Sequence, residues 1–199
     1  TKDSTSYISR AEYYRQVKQY DKAIQDYTQA IVLAPTSFAF LKRGNIFFQQ
    51  NMYLQAVTDY TKAIQLDSSQ SKAYYNRGYI YDTRRLYDFA ISDYTKAIQL
   101  NAQDYLAYTA RGYSYNNKRL YAQAIADFKK AININPNYDI AYFNLACSYA
   151  LLKKEKDTLA NLTKAIQIYP NNQKLARQDP DFRYIWRFPE FRQLLIKTL

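Results

Sequence analysis

Residues 71–104 read SKAYYNRGYIYDTRRLYDFAISDYTKAIQLNAQD. Apolar or small side chains stand at Tyr74, Gly78 and Tyr81 in the first half, and at Ala90, Ile91, Tyr94, Ala97 and Ile98 in the second. Both sets follow the i, i+3, i+4, i+7 face of an amphipathic helix. Arg84 and Arg85 interrupt the stripe and permit a turn. The block therefore predicts a helix–turn–helix. One such hairpin cannot enclose its own apolar faces, so it must stack on copies of itself.

The copies are present. Gly44, Gly78, Gly112 and Ala146 are 34 residues apart, as are Tyr60, Tyr94, Phe128 and Leu162, and Ala63, Ala97, Ala131 and Ala165. The phrase TKAIQ occurs at 61–65, 95–99 and 163–167. A first copy at 4–36 puts Ala11, Ala23, Tyr27 and Ala30 on the shared positions. This pattern resembles the tetratricopeptide repeat. That family has a bulky residue at position 4, small at 8, aromatic at 11, small at 20, aromatic at 24, Ala at 27 and Pro at 32. The block at 71–104 supplies Tyr74, Gly78, Tyr81, Ala90, Tyr94 and Ala97, with Ala102 in the proline place; Pro35, Pro136 and Pro170 fill that place in repeats one, four and five. The resemblance implies an all-α, right-handed superhelical solenoid of antiparallel hairpins. Its five repeats are 4–36, 37–70, 71–104, 105–138 and 139–172.

Composition narrows the chemistry. The chain has 199 residues, 23 of them Tyr, with one Cys and no His. An intramolecular disulfide, zinc sites of the Cys/His type and His-dependent triads are excluded. The three glycines are isolated inside predicted helices, so no phosphate-cradling loop exists. No cofactor, metal or catalytic residue is assigned, and the chain is read as a non-enzyme. The acidic pair Asp179 and Asp181, in an Asp-Pro-Asp setting, reads as a helix start. No apolar run approaches the ~18–20 residues of a membrane span. The start at Thr1 without Met reads as that of a processed or trimmed chain, and no compartment is assigned. A formal net charge of +11 favours acidic partners and a monomer over self-association.

After Pro170 the period is lost. A sixth copy would place Pro180 inside its first helix, which costs ~3 kcal/mol or more. Residues 173–199 instead predict short helices at 174–178, 181–187 and 190–198, with Asp179 as N-cap and Pro180 at the first helical position. The phrase ARQDPDF…FPEFRQLL resembles a tail common at the ends of bacterial tetratricopeptide arrays. Its Phe182, Ile185, Trp186, Phe188, Phe191, Leu194 and Leu195 are expected to cover the edge of repeat five as a cap. Residues 1–3 are expected to be a frayed end.

Three sets of residues are candidates for function. Arg10, Arg43, Arg77 and Arg111 are each followed sixteen residues later by Asp26, Asp59, Asp93 and Asp127; repeat five has Leu145 and Asn161 instead. Arg and Asp occur together or not at all, which predicts an ion pair within each repeat; an arginine ladder for anions is the alternative. The turns between paired helices carry Lys18, Arg84, Arg85, Lys118, Arg119, Lys153, Lys154 and Lys156, interrupted by Gln50 and Asn51. They predict a basic ridge. The third set comes from the resemblance. Tetratricopeptide first helices line a concave groove, here Phe38, Leu41, Asn45, Phe48, Tyr75, Asn76, Tyr79, Thr109, Tyr113 and Asn116. Cys147 and Ala150 would continue it in repeat five, and position 2 residues such as Phe38 are the most prone to fill space between helices.

The family's carboxylate clamp needs three cations and two asparagines at fixed positions. The best frame here supplies Asn45 and Asn76 but Leu41, Leu106 and Ala110 where cations belong. The expected ligand is therefore a protein or peptide segment with apolar or aromatic anchors. The alternative is an electrostatic adaptor in which the ridge holds an acidic protein, an anionic membrane surface or nucleic acid.

Overall fold

The structure is a computed structural model and describes residues 3–196. Among these residues there are helices and turns but no strand. The chain divides into two compact units, 1–101 and 102–199. Among the described residues no helix is long and apolar enough to cross a membrane.

The first unit holds three hairpins. They are α1 (Ser4–Gln16) with α2 (Tyr20–Leu33), α3 (Ser37–Gln49) with α4 (Tyr53–Leu66), and α5 (Ser71–Thr83) with α6 (Tyr87–Leu100). Asp3 is not frayed: its side chain accepts a bond from the Ser6 amide and caps α1. The second unit holds α7 (Tyr105–Asn117) with α8 (Tyr121–Ile134) and α9 (Asp139–Leu151) with α10 (Glu155–Ile168). It continues as α11 (Asn172–Gln178), two 3₁₀ turns at Pro180–Phe182 and Ile185–Arg187, and α12 (Pro189–Ile196).

Each hairpin closes on one buried aromatic or leucine from its second helix. Tyr27, Tyr60, Tyr94, Phe128 and Leu162 are fully buried beside the small residues of the first helix. A Cβ at Gly112 would lie 2.7 Å from Phe128 Cε1. Glycine is required there because the ring occupies the space a side chain needs. Serines at the starts of first helices add a second tie. Ser37 Oγ donates to the Ala63 carbonyl at 2.9 Å, and Ser4 and Ser71 do the same to Ala30 and Ala97.

All five intra-hairpin turns share one device. Lys18, Asn51, Arg85, Arg119 and Lys153 sit in the left-handed region, with φ near +60°. The residue after each donates its amide back five residues, as from Leu86 to the Tyr81 carbonyl at 2.9 Å. This is the Schellman closure of a helix C-terminus, where glycine is the usual occupant. A non-glycine residue there costs ~1–2 kcal/mol. It also ends α1 at Gln16.

Residues 172–196 pack on α9 and α10. Phe182, Ile185, Phe191 and Leu195 are buried in one cluster with Ala146, Cys147, Ala150, Leu162 and Ile166. Asp179 caps the first 3₁₀ turn through the Asp181 amide, and Pro180 opens it. The expected helix at 181–187 does not form. Two three-residue turns stand there, and they carry Phe182 and Ile185 into the same buried cluster. The last helix ends within the described residues at Ile196; the expectation for 197–198, like that for residues 1–2, lies outside them.

Candidate functional site

The arginine–aspartate pairs are short and bidentate. Arg77 Nε and Nη2 donate to Asp93 Oδ2 and Oδ1, both at 2.8 Å. Arg43 does the same to Asp59, and Arg10 and Arg111 to Asp26 and Asp127. The remaining Nη1 of Arg43 and Arg77 reaches the threonine of the preceding repeat, Thr28 at 2.9 Å and Thr61 at 3.0 Å. Each guanidinium also lies between two rings, Phe40 and Phe47 for Arg43, Tyr74 and Tyr81 for Arg77. Arg43 and Arg77 thus spend three of their five N–H donors inside the protein and pack between two rings, which makes them struts between repeats and leaves two N–H groups each for anything else. Burial pushes the Asp93 and Asp127 carboxyls up, and the paired guanidinium pulls each back.

The groove residues divide. Tyr79 and Tyr113 are 43% and 46% exposed, and Phe38 is 44% exposed. Phe48 meets Tyr79 edge-on at 5.5 Å, and Tyr75 meets the buried Tyr94 at 5.6 Å. Leu41 and Thr109 are not on the surface. Leu41 belongs to the buried cluster of Ala56, Tyr60 and Ala73, and Thr109 turns its hydroxyl to the Tyr105 carbonyl. Position 5 of the repeat, not position 2, therefore fills space between helices at these two sites. Cys147 and Ala150 are also buried, under the 172–196 segment.

Two cavities lie among the groove residues, one in each unit. In the first unit, Arg15, Lys42, Asn45, Phe48, Gln49 and Asn76 line a volume of about 270 Å³. The asparagines are joined: Asn76 Nδ2 donates to Asn45 Oδ1 at 2.9 Å, which also accepts from the Tyr60 hydroxyl at 2.9 Å. Glu12 organises the cations. It accepts from Arg15 at 2.8 Å, stands 3.7 Å from Lys42 Nζ, and accepts a hydrogen bond from the hydroxyl of buried Tyr27. Burial pushes the Glu12 carboxyl up, but Arg15, Tyr27 and Lys42 together hold it below its usual range. Arg15 and Lys42 thus share the cavity of Asn45 and Asn76, with the Glu12 carboxylate already paired to both.

In the second unit a cavity of about 630 Å³ runs along α7 and α9 to the 179–181 turn. Tyr113, Asn116, Tyr121 and Asn144 line it together with Asp179 and Asp181. The ligand atoms of Cys147, Asp179 and Asp181 all lie within 4.8 Å of one another. Burial and the two carboxylates push the Cys147 thiol well up, away from the thiolate that metal ligation needs. Sequence spacing gave no sign of this constellation, because Cys147 and Asp179 are 32 residues apart and meet only through the turn.

The ridge residues Arg84, Arg85, Lys118, Arg119, Lys153, Lys154 and Lys156 are all exposed. Arg84 lies over Tyr53 at 5.9 Å, Lys153 over Tyr184 at 5.2 Å and Lys154 over Tyr149 at 5.8 Å. Four of the five left-handed turn residues are cations.

Stacked helix hairpins with an aromatic, small-residue and alanine seam repeated five times define a tetratricopeptide array. The chain belongs to the tetratricopeptide repeat family: models of the repeat match residues 4–37, 44–82, 71–104, 105–138 and 140–172. It is accordingly a protein-interaction scaffold of the all-α solenoid class, with protein or peptide partners.

Solved structures share its fold. One is YrrB, described as a TPR protein with an unusual peptide-binding site: TM-score 0.79, 23% identity, covering 89% of this chain and 93% of that one. A MamA structure matches with TM-score 0.79 and 24% identity over 86% of this chain and 94% of that one. MamA from Desulfovibrio magneticus RS-1 matches with TM-score 0.79 and 16% identity over 84% and 96%. No curated protein sequence matches the chain.

Proposed function

We propose that the chain is a non-catalytic scaffold whose first-helix faces bind a segment of a partner protein through aromatic and amide contacts. The observation that carries this reading is the exposure of Tyr79 and Tyr113 at groove positions: Tyr113 shares a cavity with Asn116, Asn117 and Asn144, and Tyr79 meets Phe48, which lines a cavity with Asn45, Gln49 and Asn76. Tyrosines supply large contact area at low entropic cost, and amides bond to peptide backbone. The arginines are withdrawn from the surface as struts, and the cations near Asn45 and Asn76 already face Glu12. A ligand anchored by a terminal carboxylate is disfavoured on both counts. Photo-crosslinking from position 79 and, separately, from position 113 tests the proposal in the source cell. The same partner is expected to be captured from both positions and not from position 84. Capture from position 84 alone refutes it.

A second reading has its own observation. Position 15 of the repeat is strained for residues other than glycine and asparagine, yet Lys, Arg, Arg and Lys occupy it in four repeats. Cations retained against that strain favour electrostatic adhesion to an acidic surface through the ridge. Steep loss of partner binding with rising salt supports the ridge, and weak salt dependence supports the groove.

A further inference from the structure

The cavity of the second unit has a chemistry opposite to that of the chain around it. The protein carries 28 Lys and Arg against 17 Asp and Glu. Each of the buried aspartates Asp26, Asp59, Asp93 and Asp127 has an arginine within 2.8 Å. Asp179 and Asp181 differ. They are half-buried side by side, and among the described residues no lysine or arginine comes within 4.0 Å of either. Arg119 lines the same cavity without reaching them. Burial and the neighbouring Asp179 charge push the Asp181 carboxyl up, and the Cys147 thiol pulls it partly back.

The rest of the lining is rich in acceptors. Asn117 and Asn144 turn their amide nitrogens to the Tyr113 and Ile140 carbonyls, which leaves each side-chain carbonyl oxygen as an acceptor. Tyr113 and Tyr121 add aromatic side chains to the lining. Two carboxylates, amide oxygens and aromatic side chains match a group that donates and does not accept, and that carries positive charge. Ammonium and guanidinium groups fit that description.

We propose that this cavity receives a Lys or Arg side chain of the bound partner segment, with Asp179 and Asp181 as its counter-charges. This deepens the groove reading and rests on it. The 179–181 turn packs against α9 through Phe182, whose ring lies 5.6 Å from Phe143. The segment after repeat five thereby supplies the specificity of the pocket as well as covering an apolar edge. A metal ion on Cys147, Asp179 and Asp181 is the competing occupant.

The test uses three fluorescein-labelled peptides of one sequence that differ only at a central lysine, norleucine or glutamate. The full chain is titrated and anisotropy read. The lysine peptide is expected to bind about tenfold tighter than the norleucine peptide, with glutamate weakest. Asp179→Asn with Asp181→Asn is expected to erase the difference between lysine and norleucine. Asparagine at 179 retains an oxygen for the Asp181 amide, and the single variant Asp181→Asn leaves that cap intact. Equal binding of lysine and norleucine peptides by the unaltered chain overturns the proposal and leaves the groove reading standing. No binding of the lysine peptide at millimolar concentration also overturns it, whereas the groove reading is tested separately at Tyr79 in the other unit. Saturable Zn²⁺ binding that the same two substitutions abolish assigns the cavity to a metal and overturns it too.

Discussion

Replacing Arg77 by leucine separates a strut from a surface ion pair. The Arg77 side chain is 17% exposed and that of Asp93 7%. Removing the guanidinium takes two 2.8 Å bonds from Asp93, one from Thr61, and the packing of Tyr74 and Tyr81. It leaves a buried carboxylate without its partner, a change worth about 3–5 kcal/mol. Exposed pairs are worth ~0–1 kcal/mol. The variants Arg77→Leu, Asp93→Leu and the pair together are unfolded in urea with helicity as the readout. Both singles are expected to be strongly destabilised and the pair to recover much of the loss, with a coupling of about 0.5–3 kcal/mol. Arg10→Leu is the internal control. Arg10 is 40% exposed, so its loss must be smaller than that of Arg77. Additive single effects at Arg77 and Asp93, or an Arg10 loss equal to that of Arg77, would refute the strut.

Further expectations follow the same geometry. Gly112→Ala should destabilise by ~1–3 kcal/mol through overpacking on Phe128, and more than Gly44→Ala, whose added Cβ would lie 3.0 Å from Tyr60; thermal melts order the two. Arg85→Gly should leave helicity unchanged and raise the urea midpoint, because it relieves a left-handed backbone that costs ~1–2 kcal/mol, partly offset by glycine's unfolded freedom. Phe182→Ala should cost about 3–5 kcal/mol and release the apolar cluster on repeat five, seen as dye binding or aggregation. The Glu12 carboxyl is held low, so its stabilisation is present above its unfolded value of 4.5 and is lost as pH falls through the folded value. The gap in stability between the chain and Glu12→Gln should therefore close on acidification, and a gap that widens would contradict the assignment.

The fold was legible because periodicity records burial directly. The spacing of Gly44, Gly78 and Gly112 against Tyr60, Tyr94 and Phe128 follows from one ring needing one missing side chain, repeated every 34 residues. The covariation of Arg with Asp was visible because both partners lie in the same repeat. What could not be read is non-periodic. Cys147 meets Asp179 through a turn whose path no pattern fixes, and Leu41 and Thr109 carry nothing in their types that places them inside rather than at the groove. The left-handed turns were hidden for another reason. Their usual signal is glycine, and here the position carries Lys, Asn or Arg. Only Asn51 is a residue that tolerates φ > 0 through its own side chain.

The central claim is that first-helix tyrosines, not the basic ridge, hold the partner. The direct measurement is the affinity of the partner captured from the source cell for two double variants. Tyr79→Ala with Tyr113→Ala removes two exposed groove rings, while Arg84→Glu with Arg85→Glu reverses the ridge charge in the first unit. The groove variant is expected to bind at least about tenfold more weakly, a loss of ~1.4 kcal/mol or more, and the ridge variant to bind as the unaltered chain does. Normal binding by the groove variant with loss in the ridge variant would contradict the claim and put electrostatic adhesion in its place.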